Sequence, residues 1–115
     1  MNTPPTAPDP QFLERLQQLL PDDQVKNETA DRWSYGYDNS RRHATPDVVV
    51  FPETAQQIHA IVALCNRFSV PLTPRGHGTC TTGAAVPIHG GVVLSFERMD
   101  RILSIDPANR LMVVQ

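Results

Sequence analysis

The sequence predicts an α+β fold, in which one strand–helix–strand unit is followed by a β-hairpin region. Three observations carry that expectation. Val48-Val49-Val50-Phe51 is a short, continuous apolar run rich in β-branched residues, which suits a buried strand. A helical repeat follows it, opened by Thr54 with Gln57 three positions later, a capping-box spacing. Two further apolar runs, Ile102-Leu103-Ser104-Ile105 and Leu111 to Val114, flank a Pro-containing turn at residues 106–109 and read as a hairpin.

Taken in order, residues 1–9 hold three prolines and no apolar period, and are expected to form a disordered lead-in. Phe12, Leu13, Leu16, Leu19 and Leu20 recur at helical spacing until Pro21 stops the run, which predicts a short amphipathic helix. The rest of residues 10–47 is polar and reads as irregular. Trp33, Tyr35 and Tyr37 are expected to pin it to the body of the domain. Residues 48–115 form the main domain. Its helix should bury Ile58, Ile61, Val62, Cys65 and Phe68, and its second strand should follow Ser69-Val70-Pro71. The span of about 30 residues matches a βαβ unit. Residues 92–96 read as another strand. The last apolar strand stops at Gln115 with no turn residue after it, so the chain is expected to be cut short.

A length of 115 residues allows one modest domain, and 40% apolar with 19% charged residues is ordinary for a globular protein. A net charge of −2 argues against nucleic acid or an anionic membrane as the main partner, since both call for a basic excess. No stretch approaches the roughly 18 apolar residues of a membrane span. Cys65 and Cys80 do not suggest a disulfide framework, and a reducing, cytoplasmic setting is the simpler expectation.

The chemistry lies in Pro74-Arg75-Gly76-His77-Gly78-Thr79-Cys80-Thr81-Thr82-Gly83-Ala84-Ala85. Gly76, Gly78 and Gly83 allow positive φ and close approach to a ligand, and successive amides in such a turn can form an anion-binding nest. Thr79, Thr81 and Thr82 add hydroxyl donors, and Arg75 adds a positive charge suited to phosphate. No acid lies between Glu53 and Glu97. The loop lacks the Gly-Lys-Ser/Thr ending of a P-loop and the G-x-G-x-x-G spacing of a dinucleotide fingerprint. The residues alone read as a phosphate-binding loop after a strand–helix unit, or as a tight strand connection.

Five blocks in order carry a resemblance: Val49-Val50-Phe51-Pro52-Glu53-Thr54; Val70 through Pro74-Arg75-Gly76-His77-Gly78-Thr79; Gly83-Ala84-Ala85-Val86-Pro87; Gly90-Gly91-Val92-Val93-Leu94-Ser95; and Arg98-Met99-Asp100-Arg101-Ile102. From about Tyr35 to Gln115 the chain resembles the FAD-binding domain of the vanillyl-alcohol-oxidase and p-cresol-methylhydroxylase superfamily. Within it, the chain is similar to the glycolate oxidase and D-lactate dehydrogenase branch. The resemblance implies the N-terminal part of a two-subdomain FAD domain. Arg75, Gly76, His77, Gly78 and Thr79, preceded by Pro74, would wrap the pyrophosphate. Thr82, Gly83 and Ala84 would help from the next turn, and Pro52 would lie near the adenosine. It implies FAD-linked oxidation of a small D-2-hydroxy acid such as glycolate or D-lactate, bound through a later cap domain that also supplies the catalytic histidine. An electron-transfer subunit is compatible with it, and the family includes soluble and membrane-peripheral enzymes. The alternative is a nucleotide- or phosphate-binding module without turnover.

Two residues depart from the branch, which usually has a small residue at His77 and often glycine at Cys80. A histidine there either crowds the phosphates or adds a donor to them. Superfamily members that attach FAD through a loop histidine carry it two positions later, where this chain has Thr79, so covalent attachment at His77 is not the reading taken. His77 and Cys80 form only half of a zinc site, which needs three or four ligands. Four charge-assisted bonds to a diphosphate at about 1.5–3 kcal/mol each roughly balance an association cost of about 4–15 kcal/mol. This segment alone is therefore expected to hold FAD weakly and to be colourless.

Overall fold

Asp9 and Pro10 start the first helix. In the computed structural model, which describes residues 7–115, the Asp9 carboxylate accepts the Gln11 amide at 2.8 Å, and Pro10 opens α1 (Pro10–Leu19). The part of the expected lead-in that covers residues 1–6 lies outside the described residues. Phe12, Leu16 and Leu20 are buried, whereas Leu19, expected on the same stripe, is exposed.

The polar segment expected to be irregular carries three short elements: a 3₁₀ turn (Asp22–Gln24), β1 (Val25–Lys26) and α2 (Thr29–Ser34). A two-residue strand cannot show alternation and a six-residue helix cannot show a helical stripe, so neither leaves a periodic signal. β1 pairs antiparallel with β2 (Val48–Val50), Val25 opposite Val50. Buried Gln24 secures this junction by donating to the Phe51 carbonyl at 2.7 Å and to Gln57 Oε1 at 3.0 Å.

α3 (Ala55–Phe68) begins with the expected cap. Thr54 Oγ1 accepts the Gln57 amide at 3.1 Å, while Gln57 Oε1 reaches back to the Glu53 amide at 2.8 Å, one residue before the usual target. Ile61, Leu64 and Cys65 form its buried face, with Ile58 and Phe68 partly buried. Val62, expected on that face, is exposed, because the i, i+3, i+4 pattern from Ile61 selects Leu64 and Cys65 instead.

The chain returns through β3 (Leu72–Arg75) and then β4 (Val92–Ser95). The sheet order is β1-β2-β4-β3, with β4 parallel to both β2 and β3. The expected strand–helix–strand order is present, but β4 separates its two strands. Spacing along the chain does not reveal which strands become neighbours.

The sheet is covered on both faces, which accounts for the unbroken apolar run. Val48, Val50, Val92 and Leu94 pack with Phe12, Leu16, Ile61 and Leu64 of the helices. Val49, Phe51 and Val93 pack on the opposite face with Tyr35. Each such side chain contributes about 1.5–3 kcal/mol through its burial.

β5 (Ile102–Asp106) and β6 (Leu111–Val114) form the expected antiparallel hairpin. Asp106 closes its turn by accepting the Asn109 amide at 3.2 Å and Asn109 Nδ2 at 2.8 Å. Its apolar side chains, from Ile102 to Val114, are all more than half exposed. Among the described residues, no helix is long and apolar enough to cross a membrane.

Candidate functional site

Because β2, β3 and β4 run parallel, their carboxyl ends share one edge of the sheet. Pro52 follows β2, Gly76 follows β3 and Phe96 follows β4. Ligands of open parallel sheets bind at this edge. With β4 between them, β2 and β3 lie two strand spacings apart, roughly 10 Å. Pro52 is buried there and Pro74 is exposed.

The first turn after β3 is open. Gly76, His77 and Thr79 are exposed, and the backbone amides of residues 76–79 donate no hydrogen bond among the described residues. Gly78 adopts φ 70°, and a Cβ on it would stand 2.2 Å from Arg75 Nη2, so a side chain at this point is strained and must displace the Arg75 guanidinium. Gly76, expected to use positive φ, does not; a Cβ there would meet nothing within 4 Å.

Arg75 corrects the expectation of a phosphate-facing charge. Its side chain is buried, donates through Nη1 to the Tyr37 carbonyl and lies over the rings of Tyr35 and Tyr37, 5.5 and 5.6 Å from their centroids. A planar guanidinium suits that stacked position. It holds the turn from beneath instead of reaching out to a ligand.

The second turn behaves differently. Thr82 and Ala84 are exposed, but Gly83, with φ 85°, is half-buried against the side chains of Ser40 and Arg42. The segment that backs this loop, through Asn39 on the Thr79 carbonyl and Ser40 and Arg42 beside Gly83, also carries Asp38. Asp38 is only 4% exposed; Oδ1 accepts the Ser40 amide at 2.8 Å, and Oδ2 is buried with no hydrogen-bond partner. Its carboxyl is held below the usual carboxylate range, first by Ser40 and then by the Ala85 and Gly83 dipoles, against the opposing effect of burial.

Sequence reading assigned Asp38 nothing. The loop is free of acids along the chain, yet folding brings this carboxylate behind it. The local signal was Asp38-x-Ser40, an Asx-turn spacing, but nothing local indicates that such a turn packs against a loop 45 residues away. Glu97 also approaches the site, accepting the Tyr35 hydroxyl at 3.0 and 3.1 Å. Burial, followed by Glu97, pushes the Tyr35 phenol up to about 12. Trp33 and Tyr37, expected to act as anchors, are largely exposed; with Asp38, Arg41, Arg42 and His43 they line an open pocket of about 280 Å³.

His77 and Cys80 are both exposed, and among the described residues no group of three or more His, Cys, Asp or Glu could hold a metal ion.

Residues 46–115 match the family described as FAD binding domain. Glycolate oxidase subunit GlcD of Bacillus subtilis is 36% identical over 103 residues, 89% of this chain and 22% of that protein. D-2-hydroxyglutarate dehydrogenase of Stutzerimonas stutzeri is 34% identical over 108 residues, 93% of this chain and 23% of that protein. The fold superposes on p-cresol methylhydroxylase with substrate bound at a TM-score of 0.74 and 25% identity, covering 93% of this chain and 22% of that one. The chain thus spans less than a quarter of the length of these relatives.

Proposed function

The chain belongs to the FAD-binding-domain family, and from that premise we propose that residues 76–79 hold the FAD diphosphate in an enzyme that oxidises a small D-2-hydroxy acid. The observation that carries the binding part is that the backbone amides of residues 76–79 have no acceptor of their own, on a turn where Gly76, His77 and Thr79 are exposed and Gly78 is buried. Amides without partners on a glycine turn are ready to meet an anion. The residues present fit the cofactor. Thr79 and Thr82 offer hydroxyls beside the turn, Pro52 closes the strand on the adenosine side, and no loop carboxylate faces outward. His77, exposed on the same turn, is one more donor within reach of a phosphate.

FAD, when bound, supplies the acceptor for the hydride removed from the substrate carbon. The chain's own residues bind and orient it. Gly78 lets the backbone approach, Arg75 fixes that glycine from below, and Gly83 and Ala84 complete the second turn.

The substrate class rests on two relatives, one named for glycolate oxidation and the other for D-2-hydroxyglutarate. We place binding of the substrate in parts of the enzyme beyond this segment, and pass its electrons to a separate acceptor subunit. The free thiols of Cys65 and Cys80 support a reducing, cytoplasmic setting with peripheral membrane contact left to that acceptor. The test is anaerobic mixing of the holoenzyme with glycolate, D-lactate, D-2-hydroxyglutarate and L-lactate. Bleaching of the yellow flavin by a D-2-hydroxy acid or glycolate, and not by L-lactate, is the expected result. A flavin that none of them bleaches would defeat the substrate assignment.

A further inference from the structure

Arg75 is buried beneath the open turn, and a Cβ on Gly78 would stand 2.2 Å from its Nη2, so the guanidinium is the surface on which that glycine rests. Whatever fixes the guanidinium therefore fixes the turn. Two tyrosine rings lie against it, their centroids 5.5 Å away for Tyr35 and 5.6 Å for Tyr37. Tyr37 is exposed, whereas Tyr35 is half-buried and held at both ends of its side chain. Its hydroxyl donates to Glu97, just beyond β4, at 3.0 and 3.1 Å. Its ring meets the Phe51 ring, at the end of β2, edge-on at 5.3 Å, and packs with Val49 and Val93 of the sheet. The backbone that follows is closed on itself: the Ala44 amide donates to the Gly36 carbonyl at 2.9 Å, and Tyr37 bridges His43. Tyr35 thus ties the carboxyl ends of β2 and β4 to the cation under the turn that follows β3.

We propose that Tyr35 is a positioning residue for flavin binding: its ring, anchored on Glu97 and Phe51, is the wall that registers the Arg75 guanidinium under Gly78, and so sets where the amides of residues 76–79 meet the diphosphate. This rests on the reading that residues 76–79 cradle that group. Two effects compete when the ring is removed. A guanidinium that swings outward gains a phosphate partner, and one that stays inside leaves the turn without a fixed support. The bond from Arg75 Nη1 to the Tyr37 carbonyl survives the loss of Tyr35 and keeps the cation inside, so the loss of register dominates.

The test compares variants of the flavoprotein stripped of FAD, titrated with FAD, ADP and adenosine. Tyr35→Leu removes the aromatic face and is expected to weaken FAD and ADP by about tenfold or more, with adenosine within about twofold of the parent. Tyr35→Phe keeps the face and the edge-on contact with Phe51 while losing only the bond to Glu97, and is expected to stay within about threefold for all three ligands. Should Tyr35→Leu not fold, Tyr35→Met fills the same space without a ring and is expected to lose ADP in the same way. A merely structural role would lower adenosine and ADP alike. That result, a Phe variant as weak as Leu, or a Leu variant that binds ADP as tightly as the parent or more so would each overturn the proposal. Gly78→Val separates the two readings. If it binds FAD normally, the cradle itself is wrong; if it loses FAD while Tyr35→Leu keeps it, only the role of Tyr35 fails.

Discussion

At residues 76–79 the loop stands open, with Gly76, His77 and Thr79 exposed, whereas a few residues later Gly83 is half-buried against the side chains of Ser40 and Arg42, neighbours of buried Asp38. Both turns contain a glycine at positive φ and neighbouring threonines, so composition alone does not separate them. The difference lies in what stands behind each. Behind the first is a cation, Arg75, which satisfies itself on a carbonyl and two aromatic faces and leaves the amides alone. Behind the second is an anion, the buried Asp38 carboxylate, which accepts the amide of its own neighbour Ser40. The sign of the charge behind each turn therefore separates two stretches of like composition.

The sharpest way to break this contrast is Gly78→Val. The substitution forces a β-branched side chain into φ 70° and sets its Cβ against the Arg75 guanidinium. Strain of about 1–3 kcal/mol adds to displacement of a buried cation, so FAD affinity is expected to fall by about a hundredfold or more. Gly83→Val is milder, because the nearest atoms there lie at 3.6 and 3.7 Å on flexible side chains. Titration of both variants with FAD checks the order. A larger loss at Gly83 would reverse the assignment of the two turns.

A smaller effect is expected from Arg75→Lys. Lysine keeps the charge but loses the planar group that stacks on Tyr35 and Tyr37 and the directed bond to the Tyr37 carbonyl. The expected outcome is a loss of about 1–2 kcal/mol of stability, read as a lower Tm, with FAD binding weakened in proportion. If the variant melts like the parent yet loses FAD entirely, then the guanidinium meets the phosphate after all, and its inward placement is not the binding conformation.

Much of this molecule was legible from its chain. The two-sided burial of Val48 to Phe51, the cap at Thr54 and the hairpin through Asp106 all follow from local rules, since neighbours in sequence decide them. Gly78 and Gly83 were also legible as positive-φ positions. What escaped was set by distant partners. β4 inserts between β2 and β3; a two-residue strand at Val25 finds its place only against β2; and Asp38 is buried only once its segment packs on the loop. Arg75 misled for the same reason. A cation beside a glycine turn suits a phosphate, and only the position of Tyr35 and Tyr37 reveals that it is already engaged.

The mildest test uses the two thiols, one on the open loop and one in the core. Cys80 is exposed beside the first turn, and Cys65 is buried on α3, where burial pushes its thiol up to about 11. Thiolate is the reacting form, so at neutral pH a disulfide reagent is expected to label one thiol in the native protein and the second only after unfolding. Bound FAD is expected to slow the labelling of Cys80 by about fivefold through occupancy of the turn, with no effect on Cys65. The raised value also carries a sign for stability. The neutral Cys65 thiol favours the fold fully below its ordinary value of 9.0, and that contribution drains away as pH rises toward about 11. Cys65→Ala is therefore expected to flatten the alkaline fall in Tm while leaving FAD affinity unchanged. Rapid labelling of Cys65 at neutral pH would mean that the helix face opens readily, and that the rigid scaffold assumed behind the loop is not there.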